Sequence, residues 1–151
     1  MKLLIVEDNS SLAETTVELL RDLDRPLQHL EAITLAEDLR TAILCLPEHD
    51  AVLCDGMFPL SPGSRFVVEE WDVIQQEANR RGIHFVLYSG SARALDCARE
   101  SNTPALAKPA TIEEIYAALT QHRLPVPSES WGESAMADPR KLAGGNHVPN
   151  L

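Results

Sequence analysis

The 151-residue chain contains no apolar stretch near the length needed to cross a bilayer, and its first apolar run starts directly after Met1 and Lys2, leaving no space for a secretory signal. The expectation is a cytoplasmic protein without membrane contact. Basic residues are scarce, with 13 Lys and Arg against 23 Asp and Glu for a formal net charge of −10. The only adjacent basic pairs are Arg80 with Arg81 and Arg140 with Lys141, too few for the counterion release that drives nucleic-acid binding. From Pro125 onward Glu129, Glu133 and Asp138 stand against Arg140 and Lys141, so the acidity belongs to the residues before it. The three cysteines, Cys45, Cys54 and Cys97, form no CxxC pair and sit in apolar patterns, which favours reduced core thiols. No GxGxxG, P-loop or GxSxG is present, which argues against a dinucleotide enzyme, an NTPase and an α/β hydrolase. His29, His49, His84, His122 and His147 show no ligand spacing, which argues against a zinc site.

What the chain does contain is a set of short apolar runs, each ending in a polar residue. Leu3 to Val6 end in Glu7 and Asp8, Ala51 to Cys54 in Asp55, Phe85 to Tyr88 in Ser89, and Ala105 to Ala107 in Lys108 before Pro109. Such runs, separated by helix-period segments, read as buried parallel strands. Ligands of open α/β sheets bind outside the carboxyl ends of the strands, so Glu7, Asp8, Asp55, Ser89 and Lys108 are expected in one crevice. The 44% hydrophobic content and the chain length suit one domain.

Three S/T-x-x-E sequences, Ser11 with Glu14, Thr34 with Glu37 and Thr111 with Glu114, predict capped helices between the strands. Leu12, Thr16, Leu19, Leu20 and Leu23 follow the first; Leu35, Leu39, Ile43 and Leu46 the second; Ile112, Ile115 and Leu119 the third. A longer helix is expected over 65–81, with Phe66, Val67, Trp71, Ile74 and Ala78 inward and Gly82 as its left-handed stop. A further helix is expected over 92–100 and a strand over 27–32, giving βα five times. From Leu124 the pattern stops, and residues 125–151, rich in Pro, Gly and Ser with Trp131 and Met136 as bulky apolar residues, read as a mobile extension.

Three clustered carboxylates repel one another, and a hard divalent cation bound through oxygen relieves that repulsion. Magnesium fits, and because it keeps few protein ligands it implies a phosphoryl substrate, with Lys108 and Ser89 available to other phosphoryl oxygens. Asp55 is the expected acceptor, since a carboxylate can attack phosphorus in line while Glu7 and Asp8 serve the metal.

The run ValGluAspAsn at 6 to 9, Asp55 with Pro59 and Gly63 beyond it, Ser89 followed by Gly90, and the Lys108–Pro109 pair together resemble the receiver domain of two-component response regulators over about residues 1–124. The resemblance implies a flavodoxin-like, doubly wound (βα)5 fold with a five-stranded parallel sheet of order 2-1-3-4-5. It also implies phosphorylation of Asp55 by a histidine kinase or a histidine phosphotransfer protein. By the same resemblance Asp8 and Asp55 would bind Mg2+ directly, Glu7 mainly through water, and the Met57 backbone carbonyl would complete the protein ligands, while Met57 and Ser91 would tune phosphoryl lifetime. Ala105 stands where family members usually carry Tyr or Phe, and Phe58 where they usually carry methionine. The stretch from Asp55 to Ser89 is also a few residues longer. These departures bear on output coupling rather than on phosphorylation chemistry.

The reading is a stand-alone receiver, not an enzyme, that signals to an effector protein through the face of residues 92–119, which is also the candidate homodimer surface. Two alternatives stand beside it: a receiver-like interaction module that is never phosphorylated, and an aspartyl-phosphate phosphatase, against which the lack of an acidic residue among Gly56, Met57 and Phe58 counts.

Overall fold

A computed structural model describes residues 1–121; the expected tail over 125–151, with Trp131 and Met136, lies outside the described residues, as do His122, His147 and the end of the expected domain at 124. The elements run β1 (Lys2–Val6), α1 (Ser10–Asp24), β2 (Ala32–Ala36), α2 (Leu39–Cys45), a 3-10 turn (Leu46–Glu48), β3 (Ala51–Asp55), β4 (Phe58–Pro59), β5 (Val67–Val68), α3 (Trp71–Arg80), β6 (His84–Ser89), α4 (Ala92–Glu100), β7 (Ala105–Ala107) and α5 (Ile112–Thr120). The main sheet is parallel with order β2-β1-β3-β6-β7, which is the flavodoxin-like order 2-1-3-4-5 once the small β4–β5 hairpin is left out of the numbering.

The central strands are continuously apolar because both of their faces are covered. Leu4, Val6, Val52, Cys54, Phe85 and Leu87 alternate onto one face, where they meet Ala42, Trp71, Ile74, Ala78, Ala94 and Ala98 of α2, α3 and α4. Leu3, Ile5, Ala51, Leu53 and Val86 alternate onto the other, against Leu20 of α1 and Ile115 and Leu119 of α5. Trp71 stacks on Phe85 with ring centroids 6.2 Å apart. Gly82 closes α3 at φ +70°, a conformation that favours glycine, as the sequence pattern requires.

Several expectations need correction. The strand expected over 27–32 is instead Ala32–Ala36, because Asp24 captures the chain before it: its backbone carbonyl accepts from the N–H groups of Leu27 and Gln28, and its carboxylate from those of His29 and Leu30. Thr34 therefore lies within β2 opposite Leu4, and Asp38 caps α2 by accepting from the Thr41 N–H and hydroxyl, so the Thr34–Glu37 box does not form. Asn9, two residues before Ser11, caps α1 by accepting from the Leu12 N–H. Its buried stripe is Ala13, Leu20 and Asp24, with Leu12 and Leu19 exposed. The Thr111–Glu114 box of α5 is fully formed.

The helix expected over 65–81 begins only at Trp71. Residues Val67 and Val68, β-branched and preceded by the Ser61-Pro62-Gly63-Ser64 turn, pair antiparallel with Pro59 and Phe58, which leaves Phe66 81% exposed and Val67 exposed. Cys97 is exposed rather than core, and Cys54 is buried.

Asp24 is a single-residue joint. Besides the two backbone N–H groups, its carboxylate accepts from the Tyr116 hydroxyl at 2.8 Å, tying α1 to α5 and to the approach to β2. Burial alone would raise its pKa, but the N–H group of Leu30, the Tyr116 hydroxyl and the N–H group of His29 outweigh burial and hold it below the ordinary value of 3.8. Tyr116 is pushed up to about 12 by burial and by the same carboxylate. Asp24→Ala should therefore cost about 3 kcal/mol in urea unfolding at pH 7, since it removes the acceptor of three part-buried hydrogen bonds. A folded-state pKa below the unfolded one gives stability that is present above the unfolded value and is lost as pH falls through the folded value. The gap between wild type and variant should accordingly narrow below pH 3.8, toward Asp24's lowered pKa.

Candidate functional site

Each polar group at the carboxyl end of the sheet is held there by the apolar strand behind it. The first lies at the end of β1, where Glu7 is buried at 7% exposure; its backbone N–H donates to the Ala36 carbonyl of β2, and its Oε1 accepts from the Asn9 N–H at 3.1 Å. Asp8, next in the chain, is exposed. Asp55 ends β3 half-buried, its Oδ1 accepting from the Gly56 N–H at 2.7 Å. One carboxylate oxygen each of Glu7, Asp8 and Asp55 falls within a common radius, all within 4.8 Å of one another.

Lys108 follows β7 and reaches across this cluster. Its ammonium donates to Asp55 Oδ1 at 3.1 Å and to Glu7 Oε2 at 3.2 Å. Burial by itself would lower the lysine pKa, but the charges of Asp55 and Glu7 and their hydrogen bonds outweigh burial and raise it, so the group stays cationic. The Glu7 pKa is raised too, which for an acid favours the neutral form. Burial first, and the Asp55 charge second, raise it above 4.5 despite the Asn9 N–H and Lys108. The cluster thus carries three carboxylates against one ammonium, and every donor atom is a hard oxygen. That donor set suits a hard divalent cation and offers nothing to a soft one. Cys54 next to it is no ligand: burial, with the Asp55 and Glu7 charges, pushes its thiol well above its usual value.

The residue expected to act with this cluster through a hydroxyl, Ser89, is buried at the end of β6. Its Oγ accepts from the Ser91 N–H at 3.1 Å and lies against Gly56, where a Cβ would come within 2.5 Å of that oxygen. The hydroxyl occupies the space that any side chain at 56 would need. Ser91 caps α4 by accepting from the Ala94 N–H at 3.2 Å, and its hydroxyl donates to Glu69 Oε1 at 3.4 Å. Met57, two residues after Asp55, is exposed, and its neighbour Phe58 is fully buried.

Of the residues expected from sequence, Glu7, Asp8, Asp55 and Lys108 are brought together and Ser89 lies against the residue that follows Asp55. Three neighbours escaped the sequence reading. Gly56 could have been found as a glycine directly after a strand-ending acid. Glu69 sits in a segment mistaken for helix. Tyr88 carries no signal in the sequence beyond being the last apolar residue of a strand.

With this geometry in hand, comparison with known proteins is informative at the level of the fold. Neither a family model nor a curated protein matches the sequence. Among solved structures, the chain is similar to the response regulatory domain of protein MrkE from Klebsiella pneumoniae, with 18% identity over 80% of this chain and 93% of that one and a TM-score of 0.61. It is similar as well to the chemotaxis protein CheY4 of Vibrio cholerae, with 18% identity over 82% and 98% of the two chains and a TM-score of 0.57. A de novo designed protein of Rossmann 2x3 fold also matches, with 13% identity over 76% and 82% of the chains and a TM-score of 0.50. The described residues therefore adopt the flavodoxin-like fold seen in response regulator receiver domains. A designed protein can share that architecture, so the fold alone names no activity.

Two outcomes follow for the site. Gly56→Ala should cost about 1–3 kcal/mol in urea unfolding, because the Ser89 hydroxyl must leave its place to make room. Glu7→Gln should raise the melting temperature at pH 7. A folded-state pKa above the unfolded one means that ionisation lowers stability as pH rises through the folded value, and the gain should vanish in acid, where the wild-type Glu7 is itself protonated.

Proposed function

We propose that the chain is a Mg2+-dependent receiver that accepts a phosphoryl group on Asp55 and signals by protein contact. The observation that carries this reading is the Lys108 ammonium seated on both Asp55 and Glu7, with Asp8 in the same cluster. A structural salt bridge needs one carboxylate; a third, uncompensated one makes sense at a site that takes up more positive charge. Asp8 and Asp55, with the Met57 carbonyl and with Glu7 through water, would hold Mg2+, which when bound supplies the positive charge that screens the incoming phosphoryl oxygens.

The rest is the work of the chain's own residues. An Asp55 carboxylate oxygen attacks phosphorus in line, a new P–O bond forms, and the bond from phosphorus to the donor breaks with its electron pair leaving on the donor. From a phosphohistidine the leaving group is the imidazole; from acetyl phosphate it is acetate. Lys108 neutralises charge on the transferred group, and Ser89, once it leaves the Ser91 N–H, donates to another phosphoryl oxygen. The donor is a histidine kinase or histidine phosphotransfer protein. Output passes to an effector, or to a second copy of the chain, through the face of α4, β7 and α5 over residues 92–119, as a shift between two populated states. No helix among the described residues is long and apolar enough to cross a membrane, and we assign the protein to the cytoplasm.

Intact mass after incubation with acetyl phosphate tests the reading. One phosphoryl group should appear only with Mg2+ present and should be absent from Asp55→Asn. Thermal unfolding should show a Mg2+-induced rise in melting temperature that Asp8→Asn reduces severalfold in apparent affinity. No adduct and no Mg2+ response under any condition would overturn it.

A further inference from the structure

Beyond the expected site residues, we propose that Tyr88 is a positioning residue for the phosphoryl-accepting step, its ring helping to hold the Lys108 ammonium on the carboxylate cluster. The inference rests on the receiver reading above and adds to it a residue that none of the expected roles includes.

The argument begins with register. Asp55, Tyr88 and Leu106 lie in one row across β3, β6 and β7, since Asp55 pairs with Tyr88 and Tyr88 with Leu106. Alternation along β6 sends Ser89 toward the α3 and α4 side and Tyr88 toward the α1 and α5 side, where it borders the same core as Leu106, Ala110 and Ile112. Lys108 also reaches Asp55, and its Nζ stands 5.2 Å from the centroid of the Tyr88 ring. An ammonium at that distance over an aromatic face is attracted by the negative face of the ring. Two of its three donors go to Asp55 and Glu7, and the ring is a further attractive surface on it.

The ring is itself fixed at its far end. The Tyr88 hydroxyl accepts from the Ala110 N–H at 3.2 Å, two residues beyond Lys108 and one before the Thr111 cap of α5. Tyr88 thus grips one short loop at two points, the side chain of residue 108 and the backbone of residue 110. A lysine side chain has four rotatable bonds and is otherwise costly to hold in one arrangement. A phenylalanine at 88 keeps the ring and loses the anchor; a leucine loses both.

The decisive comparison keeps the shape of the side chain and changes only the charge distribution of its face. Phenylalanine and pentafluorophenylalanine are placed at position 88 in the full chain, and the ring-current shielding of the Lys108 ε-methylene protons is read by NMR without any phosphodonor. In parallel, the rate of Asp55 phosphorylation by acetyl phosphate and the Mg2+ affinity are measured for wild type, Tyr88→Phe and the fluorinated protein. The expected result is that shielding persists in Tyr88→Phe and falls by more than half in the fluorinated protein. Phosphorylation should slow about twofold in the first and about five- to thirtyfold in the second, the range set by the loss of a partly desolvated cation–π contact. Mg2+ affinity should not weaken in either, whereas a general packing defect would weaken it together with the rate. Equal shielding in the phenylalanine and fluorinated proteins would overturn the proposal, as would equal phosphorylation rates where the wild type is phosphorylated. If the wild type forms no adduct and shows no Mg2+ response, the receiver reading fails, and the shielding comparison still decides whether the ring holds the lysine.

Discussion

Everything at the carboxyl end of the sheet depends on how one ammonium is shared between two carboxylates. Lys108 is tethered by a three-residue edge strand, while Glu7 and Asp55 end two long, fully covered strands. The carboxylates are therefore fixed by the core and the cation comes to them. Burial alone would favour the neutral form of both Lys108 and Glu7, and the mutual contacts keep Lys108 charged while leaving Glu7 less willing to ionise than a free glutamate. The unequal count of charges leaves the cluster short of positive charge, and that shortage is the physical basis for reading it as a site rather than as a brace.

Much of this was legible in the sequence, and the reason is specific. Buried parallel strands must be apolar throughout, so the first polar residue after each run marks the carboxyl end of the sheet, and the sheet order then brings Glu7, Asp8, Asp55 and Lys108 together from three separated segments. Helix starts were less legible because capping is a competition among nearby side chains. Asn9 prevailed over Ser11 and Asp38 over Thr34, whereas Thr111 had no better-placed rival. The misplaced edge strand has a tertiary cause. One buried carboxylate and its own carbonyl take up four successive N–H groups before β2, a bonding pattern invisible to any test of alternation. The hairpin was missed because Phe66, Val67, Trp71, Ile74 and Ala78 imitate a helical period, while the Ser-Pro-Gly-Ser turn before them pointed to the correct answer.

The two sides of the sheet carry different kinds of connection to the site. Toward α3 and α4 the contacts run through hydroxyls, from Ser89 to the backbone of Ser91 and from the Ser91 side chain to Glu69 on the segment that follows the hairpin. Toward α5 they run through Lys108 and Tyr88 to Ala110. Gly56 marks the boundary, since only the absence of its side chain lets the Ser89 hydroxyl retreat so far from open solvent. Asp55 adjoins both sets of contacts, through the neighbouring Gly56 on one side and through the long Lys108 side chain on the other.

The sheet order has a consequence for how the chain is made. β1 lies in the interior of the sheet, yet its partner β3 comes 48 residues later, with Leu3 opposite Ala51, and Lys108 meets Glu7 across 101 residues. A ribosome extending the chain at about 5–20 residues per second exposes Glu7 and Asp8 well before their counter-ion exists. For those seconds the nascent carboxylates must be met by protons, cellular cations or solvent. The contact that completes the acidic cluster is thus supplied by one of the last segments of the sheet to be synthesised, and a truncated product ending before β7 would carry the acidic residues without the lysine that balances them.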